Sequence, residues 1–203
     1  MAAADAPSDD TGRASPPTAA TWVSELAVRW WIAGGRALDL YAGGRSPTHG
    51  DLDVGILRRD APTVLAALNS WTVCEANDGA LTPLRVGEAP RPDVHSLWCR
   101  PAGERRWVLE LMLDEAAGDQ WLFRRDPAIR VPLGMLVRCT ADGIRYLAPQ
   151  VQLLYKARAV RVRDQADLDR VAPRLDDAAR TWLREALACL DPKHQWLRPL
   201  GAN

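Results

Sequence analysis

Two carboxylates two residues apart, Asp51 and Asp53, lie in the run His49-Gly50-Asp51-Leu52-Asp53-Val54. In an extended chain, successive side chains alternate between faces, so the two acids share one face while Leu52 and Val54 turn to the core. Carboxylates that close repel each other unless a cation sits between them. Mg²⁺ is the usual resident, because a hard cation takes carboxylate oxygens and leaves positions for phosphate and water. Upstream, the apolar run Trp30-Trp31-Ile32-Ala33 ends in Gly34-Gly35, and a short amphipathic segment from Arg36 to Tyr41 follows. A glycine pair between strand and helix lets backbone approach a ligand, and its N–H groups at the helix start form an anion cradle. Metal-binding acids opposite a phosphate cradle describe a nucleoside triphosphate site.

Such residues need elements to hold them. Trp30 to Ala33 reads as a strand, after a helix over Thr21 to Arg29, and Asp51 to Leu57 reads as the strand that carries the acids. Asp60 as N-cap, with Pro62 in the first turn, predicts a helix reaching about Ser70. Thr72–Asn77 and Ala80–Val86 flank an Asn77-Asp78-Gly79 turn, and Val94–Arg100 and Arg106–Glu115 read as two further strands. Glu110 stands alone among apolar neighbours in the second of these, where an unpaired buried carboxylate is expensive. The residues themselves leave it a site acid, a partner of an arginine or an outward residue of an edge strand. Asp119 to Pro127 reads as extended chain near the sheet edge; Arg124 and Arg125 there either reach phosphates or join a solvated cluster with Asp126. Asp142-Gly143 signals a hairpin joining Met135–Thr140 to Ile144–Leu147.

From Ala148 the periodicity becomes helical: Pro149–Ala159, Asp164 to near Pro173, and Asp176–Leu190 with Trp182, Leu183, Leu187 and Leu190 on one stripe. The expected architecture is α+β, a mixed β-sheet flanked by helices with a C-terminal helical subdomain. Its divisions are a disordered tail over 1–20, a catalytic domain over 21–147 and helices over 148–203.

Composition bounds the class. The chain has 203 residues, 47% hydrophobic and 26% charged, with a formal net charge of zero. That length supports one substantial core. Neutral charge disfavours a nucleic acid backbone as main partner and leaves only a local basic groove to bind one. Cys74, Cys99, Cys139 and Cys189 form no CxxC pair, so zinc is disfavoured and four buried, reduced cysteines of a cytoplasmic protein are expected. No apolar run approaches the roughly 20 residues that span a membrane.

Gly34-Gly35, Ala37-Leu38-Asp39 and His49-Gly50-Asp51-Leu52-Asp53-Val54 resemble the nucleotidyltransferase superfamily that includes DNA polymerase beta. Within it they are most similar to the aminoglycoside 2''-adenylyltransferase and lincosamide nucleotidyltransferase group. The resemblance covers Trp30 to Leu113, continues more weakly from Tyr146 to Asp167, and departs from the group's usual pattern at Arg36 and Pro47. It implies the nucleotidyltransferase-type sheet, with Asp51, Asp53 and Glu110 as metal ligands and catalytic acids, Asp114 being the runner-up for the third. It also implies Gly34, Gly35, Arg36, His49 and Lys156 as nucleotide-binding residues. Lys156 is otherwise a snorkelling lysine, and His49 otherwise a turn histidine with a local hydrogen bond.

The implied reaction moves a nucleoside monophosphate from an NTP, ATP first among them, to a hydroxyl of a small acceptor, with one or two Mg²⁺ and release of pyrophosphate. Asp164 and Asp167, or an acidic lip of Asp114, Glu115 and Asp119, would suit a cationic, aminoglycoside-like antibiotic; otherwise they are helix-end and loop acids. Trp31 and Trp121 are candidates for base or sugar stacking. A catalytically inactive nucleotide-binding or antitoxin-type module is the alternative, and transfer to RNA ends or to a protein side chain a third. Nothing in the sequence indicates an oligomeric state.

Overall fold

The structure, a computed structural model, describes residues 28–44 and 51–201. The expectations for the N-terminal tail, for most of the first helix and for His49 lie outside the described residues. Strand β1 (Trp30–Ile32) leads through Ala33 into helix α1 (Gly34–Ala42). Strand β2 (Leu52–Leu57) then runs by way of a 3₁₀ turn into α2 (Ala61–Ala67). Asp60 takes the N-cap position there without a side-chain capping bond.

Four strands follow: β3 (Trp71–Asn77), β4 (Ala80–Pro83), β5 (Ser96–Pro101) and β6 (Leu109–Ala117). Next come β7 (Gln120–Leu122), β8 (Arg130–Pro132), the single helical turn α3 (Leu133–Leu136), β9 (Val137–Cys139) and β10 (Arg145–Leu147). The hairpin strand expected from Met135 thus begins only at Val137, because Met135 and Leu136 close the helical turn. The chain ends in α4 (Pro149–Lys156), α5 (Val162–Val171), α6 (Asp177–Leu190) and α7 (Leu197–Gly201).

The sheet is mixed, in the order β4-β3-β5-β6-β2-β1-β10-β9, with β7 on β6 and β8 on β7. β2 runs parallel to β6 and β1 parallel to β10, and the other pairings are antiparallel. Central strands are apolar on alternate positions, and Leu52, Val54, Ile56, Leu109, Leu111 and Leu113 are all buried. The acids are the other half of that alternation.

Trp31 and Trp121 are fully buried, so neither is placed to stack on a ligand. Trp31 lies against Gly55: a Cβ on that glycine would stand 2.0 Å from the indole nitrogen. Gly55→Ala is therefore expected to cost about 1–3 kcal/mol through overpacking. Thermal unfolding checks it, and an unchanged midpoint would mean that the indole moves freely.

Helix α6 buries Ala179, Leu183, Ala186 and Leu187, while Leu190 faces solvent; the stripe turns about the small residues rather than running on to Leu190. Asp176 caps this helix by accepting a hydrogen bond from the Ala179 N–H at 2.8 Å. All four cysteines are free; Cys74 and Cys99 are buried, and Cys139 and Cys189 are exposed, contrary to the expectation of four buried thiols. Among the described residues no helix is long and apolar enough to cross a membrane.

Candidate active site

The register of β2 against β6 assembles the acids. Asp53 lies directly beside Glu110 across the parallel pair, and Asp51, two residues before Asp53, stands on the same face. Side-chain oxygens of the three lie within 4.8 Å of one another, the spacing of a shared cation. Ser96 of β5 donates a hydrogen bond to Glu110 Oε1 at 2.6 Å. Burial, then the Glu110 and Asp51 charges, push the Asp53 carboxyl up to about 7, against the opposing pull of Lys156. Burial also raises the Glu110 carboxyl, with the Ser96 hydrogen bond acting the other way. Three half-buried acids this close, with the Asp53 and Glu110 carboxyls raised by burial and mutual charge, fit a divalent cation that would offset their charge.

The glycine turn approaches these acids from β1. Gly34 opens α1 with φ +64°, a left-handed conformation that favours glycine. A Cβ there would meet Asp53 Oδ2 at 1.7 Å, so the close packing of turn on carboxylate also demands a bare Cα. The Ala33 N–H donates to the Asp53 carbonyl at 2.9 Å, which ties turn and acid strand together. Of the two glycine N–H groups expected to cradle phosphate, that of Gly34 donates to Gln152 Oε1 at 2.7 Å. Of the expected pair this leaves the Gly35 N–H, in the first turn of α1, where N–H groups lack intrahelical partners.

Lys156 lies one helical turn after Gln152 on α4, and its Nζ bonds Asp164 at 3.1 Å and Asp167 at 2.9 Å. Arg161 also holds Asp164, at 2.7 Å, and Arg170 bridges Asp167 and Asp39. Burial acts to raise the Asp164 carboxyl, but hydrogen bonds from Arg161 and Lys156 bring it down to about 2. Asp164 is fully buried, so with Asp167 it positions a lysine and is not open to a cationic acceptor.

On the other side of Glu110, Asp114 is buried and accepts hydrogen bonds from Trp121 Nε1 at 3.0 Å and from the Tyr155 hydroxyl at 2.7 Å. Glu115 pairs with Arg58, whose guanidinium also reaches His95 Nδ1 at 3.1 Å. Asp119 sits in the turn between β6 and β7 and does not line the cleft. The acidic lip expected from these three residues is therefore dispersed into structural contacts.

A cleft of about 1010 Å³ joins both sides. Gly34, Gly35, Asp51, Asp53, Glu110 and Lys156 line it; Arg36 does not. Sequence reasoning passed over Gln152, Ser96 and His95. The signal for Gln152 was its i, i+4 spacing from Lys156, which puts both on one helix face. Ser96 and His95 carried no local signal, since only the antiparallel approach of β5 to β6 brings Ser96 to Glu110 and His95 to the cleft.

The Aminoglycoside-2''-adenylyltransferase family model matches residues 19–170, well over half of the chain. The lincosamide antibiotic adenylyltransferase LnuA, solved with lincomycin bound, superposes with a TM-score of 0.51 at 13% identity, over 74% of this chain and 90% of that one; this is a likeness of fold. ANT(2'')-Ia in complex with adenylyl-2''-tobramycin gives a TM-score of 0.45 at 16% identity, over 89% and 88% of the two chains. An antigenic nucleotidyltransferase-like protein from Paracoccidioides brasiliensis gives 0.47 at 17%, over 90% and 88%. No curated protein sequence matches at a significant level. The chain is a nucleotidyltransferase and belongs to the aminoglycoside-2''-adenylyltransferase family.

Proposed function

We propose that the protein transfers a nucleoside monophosphate from an NTP, ATP first among them, to a hydroxyl of a small acceptor and releases pyrophosphate. The observation that carries this reading is the convergence of Asp51, Asp53 and Glu110 within 4.8 Å at the foot of a cleft whose other wall is a glycine turn. These three acids are the residues that would hold one or two divalent cations. Mg²⁺ held there would supply positive charge against the negative charge that develops during phosphoryl transfer.

The chain's own residues do the rest. Gly35 N–H and Lys156 Nζ receive the phosphates, Asp164 and Asp167 keep the ammonium aimed into the cleft, and Gln152 braces the turn. Glu110, with a raised carboxyl, takes the proton of the acceptor hydroxyl, and Ser96 fixes its orientation. The new bond forms between the acceptor oxygen and the α-phosphorus. The bond from that phosphorus to the β-phosphate oxygen breaks, and its electron pair leaves with pyrophosphate. The N-terminal division ending at Leu147 supplies the acids and turn, and the helices from Ala148 on supply the lysine wall. Free NTP, Mg²⁺ and reduced thiols are conditions of the cytoplasm, where we place the enzyme.

Pyrophosphate release with each NTP, Mg²⁺ and a panel of hydroxylated acceptors, lincomycin and tobramycin among them, tests the proposal. Release that depends on both acceptor and metal supports it, and none with any NTP contradicts it.

A pH dependence follows as well. In the metal-free protein the Asp53 carboxyl stands at about 7, above its ordinary value of 3.8. The folded state therefore favours the protonated acid: this stabilisation is complete below about pH 4 and is lost as pH rises through about 7. A cation replaces that proton, so the thermal shift on adding Mg²⁺ should grow from about pH 6 to about pH 8. A flat response across that range would contradict the shared site.

A further inference from the structure

One face of the sheet carries a row of side chains that runs through the acid cluster. Asp53 on β2 is the register partner of Glu110 on β6, and Glu110 is in turn the partner of Trp98 on β5. Direct partners on neighbouring strands project to the same side, with Cβ atoms roughly 5 Å apart. Leu97 and Cys99 turn into the core and are fully buried, so Ser96 and Trp98 share the other face, the one on which Ser96 reaches Glu110. Gly34 packs on Asp53 from the β1 side. Across the strands the row therefore reads glycine turn, Asp53, Glu110, Trp98.

Trp98 is half-buried, unlike the fully buried Trp31 and Trp121. It meets the half-buried Trp107 edge to face at 6.2 Å between ring centroids, and the Arg100 guanidinium lies 4.5 Å over the Trp107 ring. Among the described residues, neither indole belongs to the buried core or to the partly buried apolar side chains packed against it. A large aromatic beside a reactive acid, held by a second indole and not by the core, has the character of a contact surface.

The direction of the reaction decides what meets that surface. Attack on the α-phosphorus is in line, so the acceptor oxygen enters opposite the departing pyrophosphate. The phosphates belong to the flank of Gly35 and Lys156; Lys156 lies one turn after Gln152, which holds the Gly34 N–H. The acceptor then enters on the Glu110 flank, and on that flank the next side chain in the row is Trp98. A saturated sugar-type ring carries C–H groups on its face and hydroxyls on its rim. An indole gives the face an apolar partner while a rim hydroxyl reaches Glu110.

We propose that Trp98, backed by Trp107, is the platform on which the saturated ring of a glycoside-type acceptor stacks while its hydroxyl meets Glu110. This rests on the nucleotidyl-transfer reading above and adds the residue that selects a cyclic acceptor over an open-chain one.

Equilibrium binding tests this on the full chain, saturated with Mg²⁺ and an ATP analogue whose α–β bridge cannot be cleaved. Tobramycin and lincomycin are the ring-bearing probes, and glycerol is the open-chain polyol. At least one ring-bearing probe should bind the nucleotide-loaded wild type more tightly than glycerol does. Trp98→Leu, which keeps bulk without an aromatic face, should weaken that probe about tenfold or more, and Trp98→Phe less than about threefold. Nucleotide affinity should change less than about threefold in both. Trp107→Leu should weaken the probe in the same direction, and it carries the test if Trp98→Leu lowers the melting midpoint. Unchanged probe binding in the leucine variants overturns the proposal, as does glycerol binding as tightly as either ring. Equal losses in Trp98→Phe and Trp98→Leu would make the role one of shape, and overturn it too. So would a loss of nucleotide affinity in Trp98→Leu as large as the loss of the probe, which would assign the indole to the nucleotide base. A wild type that binds no nucleotide with Mg²⁺ removes the underlying reading instead.

Discussion

Asp53→Asn is expected to lower acceptor-dependent pyrophosphate release by about a thousandfold or more, and to leave a folded protein at least as stable as wild type without metal. The two halves have one cause. Asp53 stands between Asp51 and Glu110, and burial with those two charges lifts its carboxyl to about 7. Asparagine keeps the shape, removes one of three crowded charges and so relieves repulsion in the metal-free fold. The same change takes away the central acid of the set that would hold the cation, and loss of one such electrostatic contact costs roughly 10²–10³ in rate. It should also flatten the dependence of the Mg²⁺ thermal shift on pH. Steady-state pyrophosphate assays beside thermal unfolding, with and without Mg²⁺, check both halves. A folded, active variant would remove Asp53 from the chemistry, and an unfolded one would make its role structural.

Gly34→Ala should be nearly as damaging to activity, and unlike Asp53→Asn it should also destabilise. The added methyl would stand 1.7 Å from Asp53 Oδ2 and 2.8 Å from its carboxyl carbon, and the left-handed φ of +64° is costly for alanine. Either the carboxylate swings out of the acid cluster or the turn withdraws from it. In the second case the Gly34 N–H also leaves Gln152, held at 2.7 Å. We expect a loss of about 1–3 kcal/mol in stability. Activity should fall by about a hundredfold, because misplacing a reacting group by an ångström costs that much. The diagnostic is the split between the two variants: Mg²⁺ should raise the melting midpoint of Gly34→Ala less than that of wild type even at about pH 8. A full metal response with full activity would mean that the turn does not set the position of Asp53.

Much of this arrangement was legible from local rules. Asp51 and Asp53 share a face because strand side chains alternate, and Glu110 was conspicuous as one acid in an apolar strand. Their registration across β2 and β6 is a long-range fact, and the family resemblance, not periodicity, supplied it in advance. What local rules did not give was the partner on the other side of each residue. Asp164 and Asp167 were correctly placed on one face of a helix, but that face packs against Lys156, so acids that looked free to hold a ligand hold a lysine. Asp114 looked like a second candidate for the acid cluster and is instead closed off by Trp121 and Tyr155. Trp31 and Trp121 were candidates for stacking by residue type and are core by position. Arg124 and Arg125 sat beside Asp126 in sequence, which suggested a salt-bridge cluster, but both guanidiniums turn to the Tyr155 ring.

The central claim, that three acids around one cation position carry nucleotidyl transfer, is tested most directly by mass spectrometry of the acceptor. Protein, Mg²⁺, ATP and the acceptor panel are incubated, and each acceptor is weighed before and after. The account predicts an acceptor heavier by one nucleoside monophosphate, formed in step with pyrophosphate and lost when Mg²⁺ is chelated or Asp53 is changed to asparagine. ATP that binds with Mg²⁺ but leaves every acceptor at its original mass, with no pyrophosphate, would contradict it.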